Sequence, residues 1–183
     1  MKKKLNNWLN KYIYLTIYKA MSEIKKLSDN WTFYIHLQEN KDWSIDSYVK
    51  IMNFNNVEEA ILLNDEINYD LIKKSMLFLM KEDIFPTWEH EKNRDGGCFS
   101  FKVFNKDVGF VWKQLYYCLI GNSLTNDNEA NKCINGITVS PKKKFCIVKV
   151  WMNGCQYNDT KIFTKIDGLD VEGCIFKKHV PEC

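Results

Sequence analysis

Residues 84–97 decide how the rest of the chain is interpreted, and they are Ile84-Phe85-Pro86-Thr87-Trp88-Glu89-His90-Glu91-Lys92-Asn93-Arg94-Asp95-Gly96-Gly97. A tryptophan followed by a glutamate is common and carries little information by itself. Here the pair Trp88-Glu89 follows Pro86 by two residues and precedes the paired glycines Gly96-Gly97. This longer pattern is much more specific than the dipeptide, so it guides the interpretation of the flanking sequence.

The sequence on either side of this stretch predicts a mixture of strands and helices. Residues 107–120 have an N-cap candidate in Asp107, apolar residues at helical spacing and Gly121 as a stop. Alternating apolar residues and turn residues mark the strands. The expected strands are Trp31–Leu37, Gly97–Val103, Ile134–Val139, Phe145–Trp151 and Val171–Val180, and the expected helices are Val57–Leu63 and Asp107–Ile120. No internal repeat separates these elements, so we expect one α+β domain.

Composition excludes several classes of protein. The 183 residues are 45% hydrophobic and 27% charged, which is typical of a globular domain with a substantial core. No stretch has the length of a transmembrane helix. The seven cysteines are odd in number and include no C-x-x-C pair, so neither a zinc site nor a disulfide scaffold is expected. Free thiols indicate a reducing compartment, and hence a cytoplasmic location.

Positive charge is concentrated at the N-terminus. Residues 1–30 contain seven lysines against Glu23 and Asp29, a net charge of +5, whereas residues 31–183 carry a net charge of −2. The apolar run of residues 12–18 is too short for a secretory signal and leads to no small-residue cleavage site. We therefore expect a basic, mobile or loosely helical extension over residues 1–27, and a domain over residues 28–183.

Motifs of enzymes and metal sites are missing from the sequence. His36, His90 and His179 are isolated, and His90 lacks the partner histidine of a zinc protease. There is no nucleophile elbow, no P-loop and no dinucleotide fingerprint. The sequence therefore predicts a binding protein with no catalytic residue, no metal and no cofactor.

Residues 84–97 resemble the signature of the eukaryotic translation initiation factor 4E family, P-x-W-E-x-x-x-N followed by paired glycines. Other family features occur in the same order over roughly residues 27–178: Trp31, Trp43 within Lys41-Asp42-Trp43-Ser44, Val57-Glu58, and Trp112 to Gly121 with its final Cys-Leu-Ile-Gly. The resemblance implies a curved antiparallel β-sheet with about three helices on its convex face. Trp31, Trp112 and Trp151 are expected in the core.

The resemblance also implies a site for the 7-methylguanosine cap at the 5′ end of mRNA. Family members hold the methylated base between two tryptophans, which match Trp43 and Trp88, and the carboxylate that matches Glu89 accepts hydrogen bonds from the base. A cationic base suits electron-rich aromatic faces. Trp43, Trp88 and Glu89 are thus the expected base-binding residues, and capped mRNA is the expected partner.

The phosphate-binding residues depart from the family pattern. Relatives place an arginine after the paired glycines, where this chain has Cys98. The lysine run Lys142, Lys143 and Lys144 is the first candidate to replace that charge, followed by Lys177 and Lys178. The family tryptophan that touches the N7 methyl group has three competing matches, which are Val148, Lys149 and Trp151.

The surface that binds protein partners departs as well. Relatives bind a Tyr-x-x-x-x-Leu helix of a scaffold or regulatory protein on the convex face. Val57 matches the family there, but Ile61 replaces a tryptophan, and Lys113 and Tyr117 replace two leucines. We therefore expect a divergent partner, or no scaffold partner at all.

Three functions remain open from the sequence. The first is an initiation factor that delivers capped mRNA to a scaffold. The second is a cap-binding repressor, or a protein that sequesters caps without binding a conventional scaffold. The third is an enzyme of cap metabolism, which is the weakest hypothesis because no metal ligands or nucleophile accompany the tryptophans.

Overall fold

Seven antiparallel strands form one open sheet in a computed structural model that describes residues 24–180. The strand order is β2-β1-β3-β5-β6-β4-β7. The strands are β1 (Lys26–Leu37), β2 (Val49–Asn56), β3 (Ser75–Lys81), β4 (Gly97–Phe104), β5 (Ile134–Pro141), β6 (Phe145–Met152) and β7 (Ile175–Lys178).

The described residues also form five α-helices. They are α1 (Val57–Glu66), α2 (Tyr69–Lys74), α3 (Glu91–Arg94), α4 (Val108–Ile120) and α5 (Asn128–Lys132), with 3-10 turns at Ile45–Ser47 and Thr160–Ile162. Helices α1, α2 and α4 pack against the sheet on one face, which we call the helix-covered face. The buried hydroxyl of Tyr116 in α4 donates to the carbonyl of Ala60 in α1 at 3.0 Å and ties two of them together. The predicted α+β domain with about three helices on its sheet is confirmed.

The main core lies between the sheet and these helices. Alternate residues of the strands point into it, and among the largest buried side chains are Trp31, Phe33, Phe99 and Trp112. A second, smaller cluster covers the opposite face of the sheet, which we call the open face, and contains Phe78, Met80, Ile84 and Trp151. The prediction that Trp31, Trp112 and Trp151 are buried is confirmed, since they are 0%, 1% and 7% exposed.

Several strands and helices begin or end at other residues than the sequence predicted. Strand β1 begins five residues before Trp31, and the last strand is confined to Ile175–Lys178 because a turn closes from Val171 to Cys174. Strand β3 was not predicted, since it is an apolar run with both faces covered rather than an alternating pattern. Asp107 is the N-cap residue of α4 as expected, although its side chain makes no capping hydrogen bond, and the helix ends at Gly121.

The first strand begins two residues inside the segment expected to form the extension, residues 1–27. Strand β1 begins at Lys26, and the carbonyl of Lys25 accepts a hydrogen bond from the amide of Val57 at the start of α1. The remainder of the predicted extension, residues 1–23, lies outside the described residues. Within the described part of the chain, all six cysteines are free thiols, and no helix is long and apolar enough to cross a membrane.

Candidate functional site

The loop that carries Trp88 and Glu89 is held in place by the buried side chain of Asn93. Its amide nitrogen donates to the carbonyl oxygens of Phe85 at 3.0 Å and Thr87 at 2.8 Å. Its side-chain oxygen accepts from the amide of Asn135 in β5 at 2.9 Å. Asn93 is fully buried, so these bonds fix the loop against the sheet and leave Trp88 49% exposed.

The paired glycines allow β4 to start where the neighbouring backbone leaves no room for a side chain. A Cβ atom on Gly96 would lie 1.9 Å from the carbonyl oxygen of Met152, and one on Gly97 would lie 2.7 Å from the carbonyl oxygen of Lys177. Neither contact is possible for a residue with a side chain. The glycines therefore let the Trp88 loop enter the sheet between β6 and β7.

Trp43 lies on the turn between β1 and β2 with one face covered. Its indole stacks on the imidazole of His36 with ring centroids 4.2 Å apart and an angle of 5° between the planes. The side chain is nevertheless 56% exposed. Of the five tryptophans in the described residues, Trp43 and Trp88 are the two that remain accessible to a ligand.

Tyr48 links the turn of Trp43 to the loop of Trp88. Its ring lies 6.5 Å from Trp43 and 5.0 Å from Phe85, which is three residues before Trp88. Burial raises the pKa of the Tyr48 hydroxyl, and the negative charge of Glu89 raises it further. The structure therefore brings Trp43, Glu89 and the Trp88 loop around one aromatic residue on the open face of the sheet.

A basic cleft of about 280 Å³ adjoins Trp88. Its lining combines an aromatic wall with three lysines and consists of Trp88, Cys98, Lys149, Trp151, Lys177, Lys178 and His179. Trp151 lies directly opposite Cys98, which in turn lies opposite Lys177, so the three share one row across β6, β4 and β7. The cleft has room for a flat group beside Trp88, and its lysines can attract a negatively charged group along the row of Trp151, Cys98 and Lys177.

His179 closes one end of this cleft. A hydrogen bond of 2.7 Å joins its Nδ1 to the carbonyl oxygen of Asn93, and its ring centroid lies 4.9 Å from that of Trp151. Burial lowers the pKa of His179, and the positive charge of Lys149 lowers it further, against an opposing effect of the Asn93 bond. A neutral His179 therefore connects the end of β7 to the residue that holds the Trp88 loop.

The predicted phosphate-binding lysines fall into two groups. Lys177 and Lys178 line the cleft, whereas Lys142, Lys143 and Lys144 are exposed at the turn between β5 and β6. Trp151 follows Phe145 by six positions along β6, a distance of about 20 Å along a strand. The sequence analysis did not assign the cleft residue Lys149 to the phosphates, although its position two residues before Trp151 on a strand places both on one face.

Comparison with known proteins identifies the fold and the family. A sequence model described as eukaryotic initiation factor 4E matches residues 26–173. The chain belongs to the eukaryotic initiation factor 4E family. The expectation that the resemblance raised is confirmed.

Individual relatives of this initiation factor 4E family member are distant. It is 30% identical to the eukaryotic translation initiation factor 4E of Eremothecium gossypii over 68% of this chain, and it spans 61% of that relative's length. A solved structure of Ascaris suum eIF4E-3 with m7G cap gives a TM-score of 0.65 at 25% identity, covering 75% of this chain and 78% of that one. Schistosome eIF4E complexed with m7GpppG and 4E-BP gives 0.62 at 28% identity, covering 74% and 76%.

The four residues predicted to bind a protein partner lie on two helices, α1 and α4, of the helix-covered face. Val57, Ile61 and Asp65 are spaced one turn apart on α1, and Ile61 is 44% exposed. The ammonium group of Lys113 in α4 lies 3.8 Å from the carboxylate of Asp65 and 5.9 Å from the ring centroid of Tyr117. The ion pair of Lys113 with Asp65 thus links the predicted residues of α1 to those of α4.

We expect Asn93→Ala to lower the free energy of unfolding by about 2–4 kcal/mol, because it removes three hydrogen bonds and leaves buried polar groups without partners. Denaturant unfolding followed by circular dichroism measures this change. The exposed Asn153 provides the matched control, and Asn153→Ala should cost less than about 0.5 kcal/mol. Equal losses for the two variants would show that Asn93 does not hold the loop.

Proposed function

We propose that this chain binds the 7-methylguanosine cap of mRNA in the cytoplasm and acts in translation without catalysing a reaction. The observation that carries the proposal is that Trp43 and Phe85 of the Trp88 loop both contact Tyr48, whose pKa the charge of Glu89 raises, while Trp88 itself lines a cleft that contains three lysines. An aromatic pair, an acceptor and cations are the three features that a methylated, phosphorylated guanine requires. The solved relatives that contain m7G and m7GpppG support the same conclusion.

The base is held by its charge and its hydrogen-bonding edge. Methylation at N7 gives the guanine a positive charge, and stacking on an aromatic face contributes about 1–3 kcal/mol per wall. The Glu89 carboxylate accepts from N1–H and from the exocyclic amine, and each such bond to a charged group contributes about 1.5–3 kcal/mol. Adenine has no N1–H, so Glu89 excludes it.

The phosphates are held by lysines on neighbouring strands. Lys149 and Lys177 lie on either side of Ser100 and Cys98 in β4, so their charges flank the position where relatives have an arginine. A small side chain at position 98 leaves the row open for phosphate oxygens. Lysine is a point charge on a flexible stem, so this arrangement contributes attraction without the bidentate geometry of arginine.

Whether the bound cap is delivered to a scaffold depends on the opposite side of the sheet. We propose an initiation factor with a partner of its own as the leading role, because α1 and α4 still present an accessible surface around Ile61. The alternative is a repressor or cap-sequestering protein. It is favoured by Lys113 and Asp65, whose charges occupy a surface where an apolar helix would bind.

The first test is selective binding of 7-methyl-GTP over GTP. We expect about 30-fold weaker binding of GTP, because loss of the cation–π attraction costs about 2 kcal/mol. Trp88→Ala and Glu89→Ala should each cost about 2 kcal/mol or more, and tryptophan fluorescence should be quenched as the base stacks. Trp112→Phe, in the core, is the control that should leave selectivity unchanged. Equal affinities for the two nucleotides would refute the proposal.

The second test separates the two groups of lysines. The double variant Lys149→Ala/Lys177→Ala should weaken 7-methyl-GTP binding by about 10-fold or more and reduce its salt dependence. Binding of 7-methylguanosine, which lacks phosphates, should not change. The triple variant of Lys142, Lys143 and Lys144 to alanine is the matched comparison, and we expect a smaller loss because these residues do not line the cleft. A larger loss in the triple variant would place the phosphates at the β5–β6 turn.

The third test concerns the partner-binding surface. We expect a Tyr-x-x-x-x-Leu peptide to bind the unmodified chain at least about 30-fold more weakly than it binds the double variant Ile61→Trp/Lys113→Leu. The double variant restores an apolar anchor and removes a charge. Calorimetry with both proteins measures the difference, and 7-methyl-GTP affinity provides a control for folding. Tight binding by the unmodified chain that Ile61→Asp abolishes would show that the surface is conventional.

A further inference from the structure

His36 combines complete burial with direct contact to an exposed residue. It is 0% exposed and lies in β1 opposite Met76 of β3, on the open face of the sheet. Its imidazole supports the inner face of Trp43 in a parallel stack at 4.2 Å, and its edge meets Tyr48 at 5.2 Å. The outer face of Trp43 is left to solvent, so a stacked base would form the third layer of this arrangement.

A hydrogen bond explains why a histidine fits this position better than a purely apolar ring. The Nε2 of His36 lies 2.8 Å from the carbonyl oxygen of Asp42, and its N–H donates to that oxygen. The other ring nitrogen, Nδ1, is buried without a hydrogen-bond partner among residues 24–180. An unpaired buried polar atom is destabilising. Phenylalanine would avoid that cost, but it could not donate to Asp42.

The turn between Asn40 and Ser44 is organised around the same residue, Asp42. Its carboxylate accepts hydrogen bonds from the amide of Ser44 at 2.8 Å and from the hydroxyl of Ser44 at 2.7 Å, while its own amide donates to the side chain of Asn40 at 3.0 Å. The bonds from Ser44 lower the pKa of Asp42. Asp42 thus shapes the turn on both sides of Trp43, and its carbonyl attaches the turn to β1 through His36.

We propose that His36 is a positioning residue for the cap site, which holds the Trp43 indole in the orientation that accepts the methylated guanine. The inference rests on the proposed cap-binding function. A tryptophan on an exposed turn would otherwise lose conformational freedom when the base binds, and that loss would weaken affinity. The stack on His36 and the bond to Asp42 fix the indole before the ligand arrives, so binding does not carry this cost.

The test measures the dissociation constant of 7-methyl-GTP for two variants of His36. His36→Leu removes the flat ring and the donor, and we expect binding about 10-fold weaker. His36→Phe keeps a flat ring beneath Trp43 but loses the donor, so it should recover part of the affinity and bind about threefold more weakly than wild type. It also keeps an aromatic side chain in this buried position, so the test does not depend on the folding of His36→Leu. Thr32→Val, a buried change on the same strand, should leave binding unchanged.

The same substitutions in a Trp43→Ala background distinguish positioning from general stability. If His36 acts through Trp43, both His36 substitutions should change affinity by less than about twofold there. Equal losses in both backgrounds, or unchanged affinity of both variants in the wild-type background, would overturn the inference. Failure of the wild-type chain to bind 7-methyl-GTP would instead overturn the proposed function, and this inference with it.

Discussion

The candidate site depends on the hydrogen bonds of a single buried amide, that of Asn93. Its side chain holds the carbonyls of Phe85 and Thr87 and contacts Asn135 of β5, while its own carbonyl contacts the His179 ring after β7. These partners come from three separate parts of the chain. Because buried polar groups must be paired, replacement of the Asn93 side chain would leave the carbonyls of Phe85 and Thr87 without this donor. The loop is therefore fixed as a unit, and Trp88 can be exposed without being mobile. A ligand that stacks on it meets a wall that is already in place.

The two tryptophans are supported by different means. Trp88 takes its position from the hydrogen bonds of the Asn93 side chain to the loop that carries it, whereas Trp43 is supported by the His36 ring of the sheet below. Tyr48 and Phe85 fill the space between these supports, at 5.0 Å from each other. Aromatic pairs with edge-to-face geometry are attractive beyond the area that they bury. The open face of the sheet therefore carries a connected aromatic layer that runs from Trp43 through Tyr48 to Phe85, three residues before Trp88.

Local motifs suggested the candidate base-binding residues, whereas residues whose position depends on strand register could not be found from the sequence. Trp88, Glu89 and Asn93 lie within a stretch of six residues, so a sequence pattern captures them. Tyr48, His36 and Lys149 join the site only because β1, β2 and β6 align in a particular register, and alternation along a strand does not reveal which strand lies beside it. Strand β3 was missed for a related reason, since both of its faces are covered and its sequence does not alternate. The lysine run Lys142–Lys144 was conspicuous in the sequence, but it lies at the turn between β5 and β6 and does not line the cleft beside Trp88.

The position of the two surfaces on opposite sides of one sheet explains how the partner surface can diverge while the candidate cap site is retained. Strand β1 serves both sides, with Phe33 in the core beneath the helices and His36 beneath Trp43. Ile61, Lys113 and Tyr117 lie on helices beyond that core, so changes there need not alter the strand register. The ion pair between Lys113 and Asp65 is exposed and joins atoms 3.8 Å apart, and such pairs contribute only about 0–1 kcal/mol. It therefore does little for the stability of the fold. The ion pair affects binding instead. A partner helix that covers Lys113 and Asp65 removes their charges from water, and this desolvation weakens binding unless the helix supplies charges of its own.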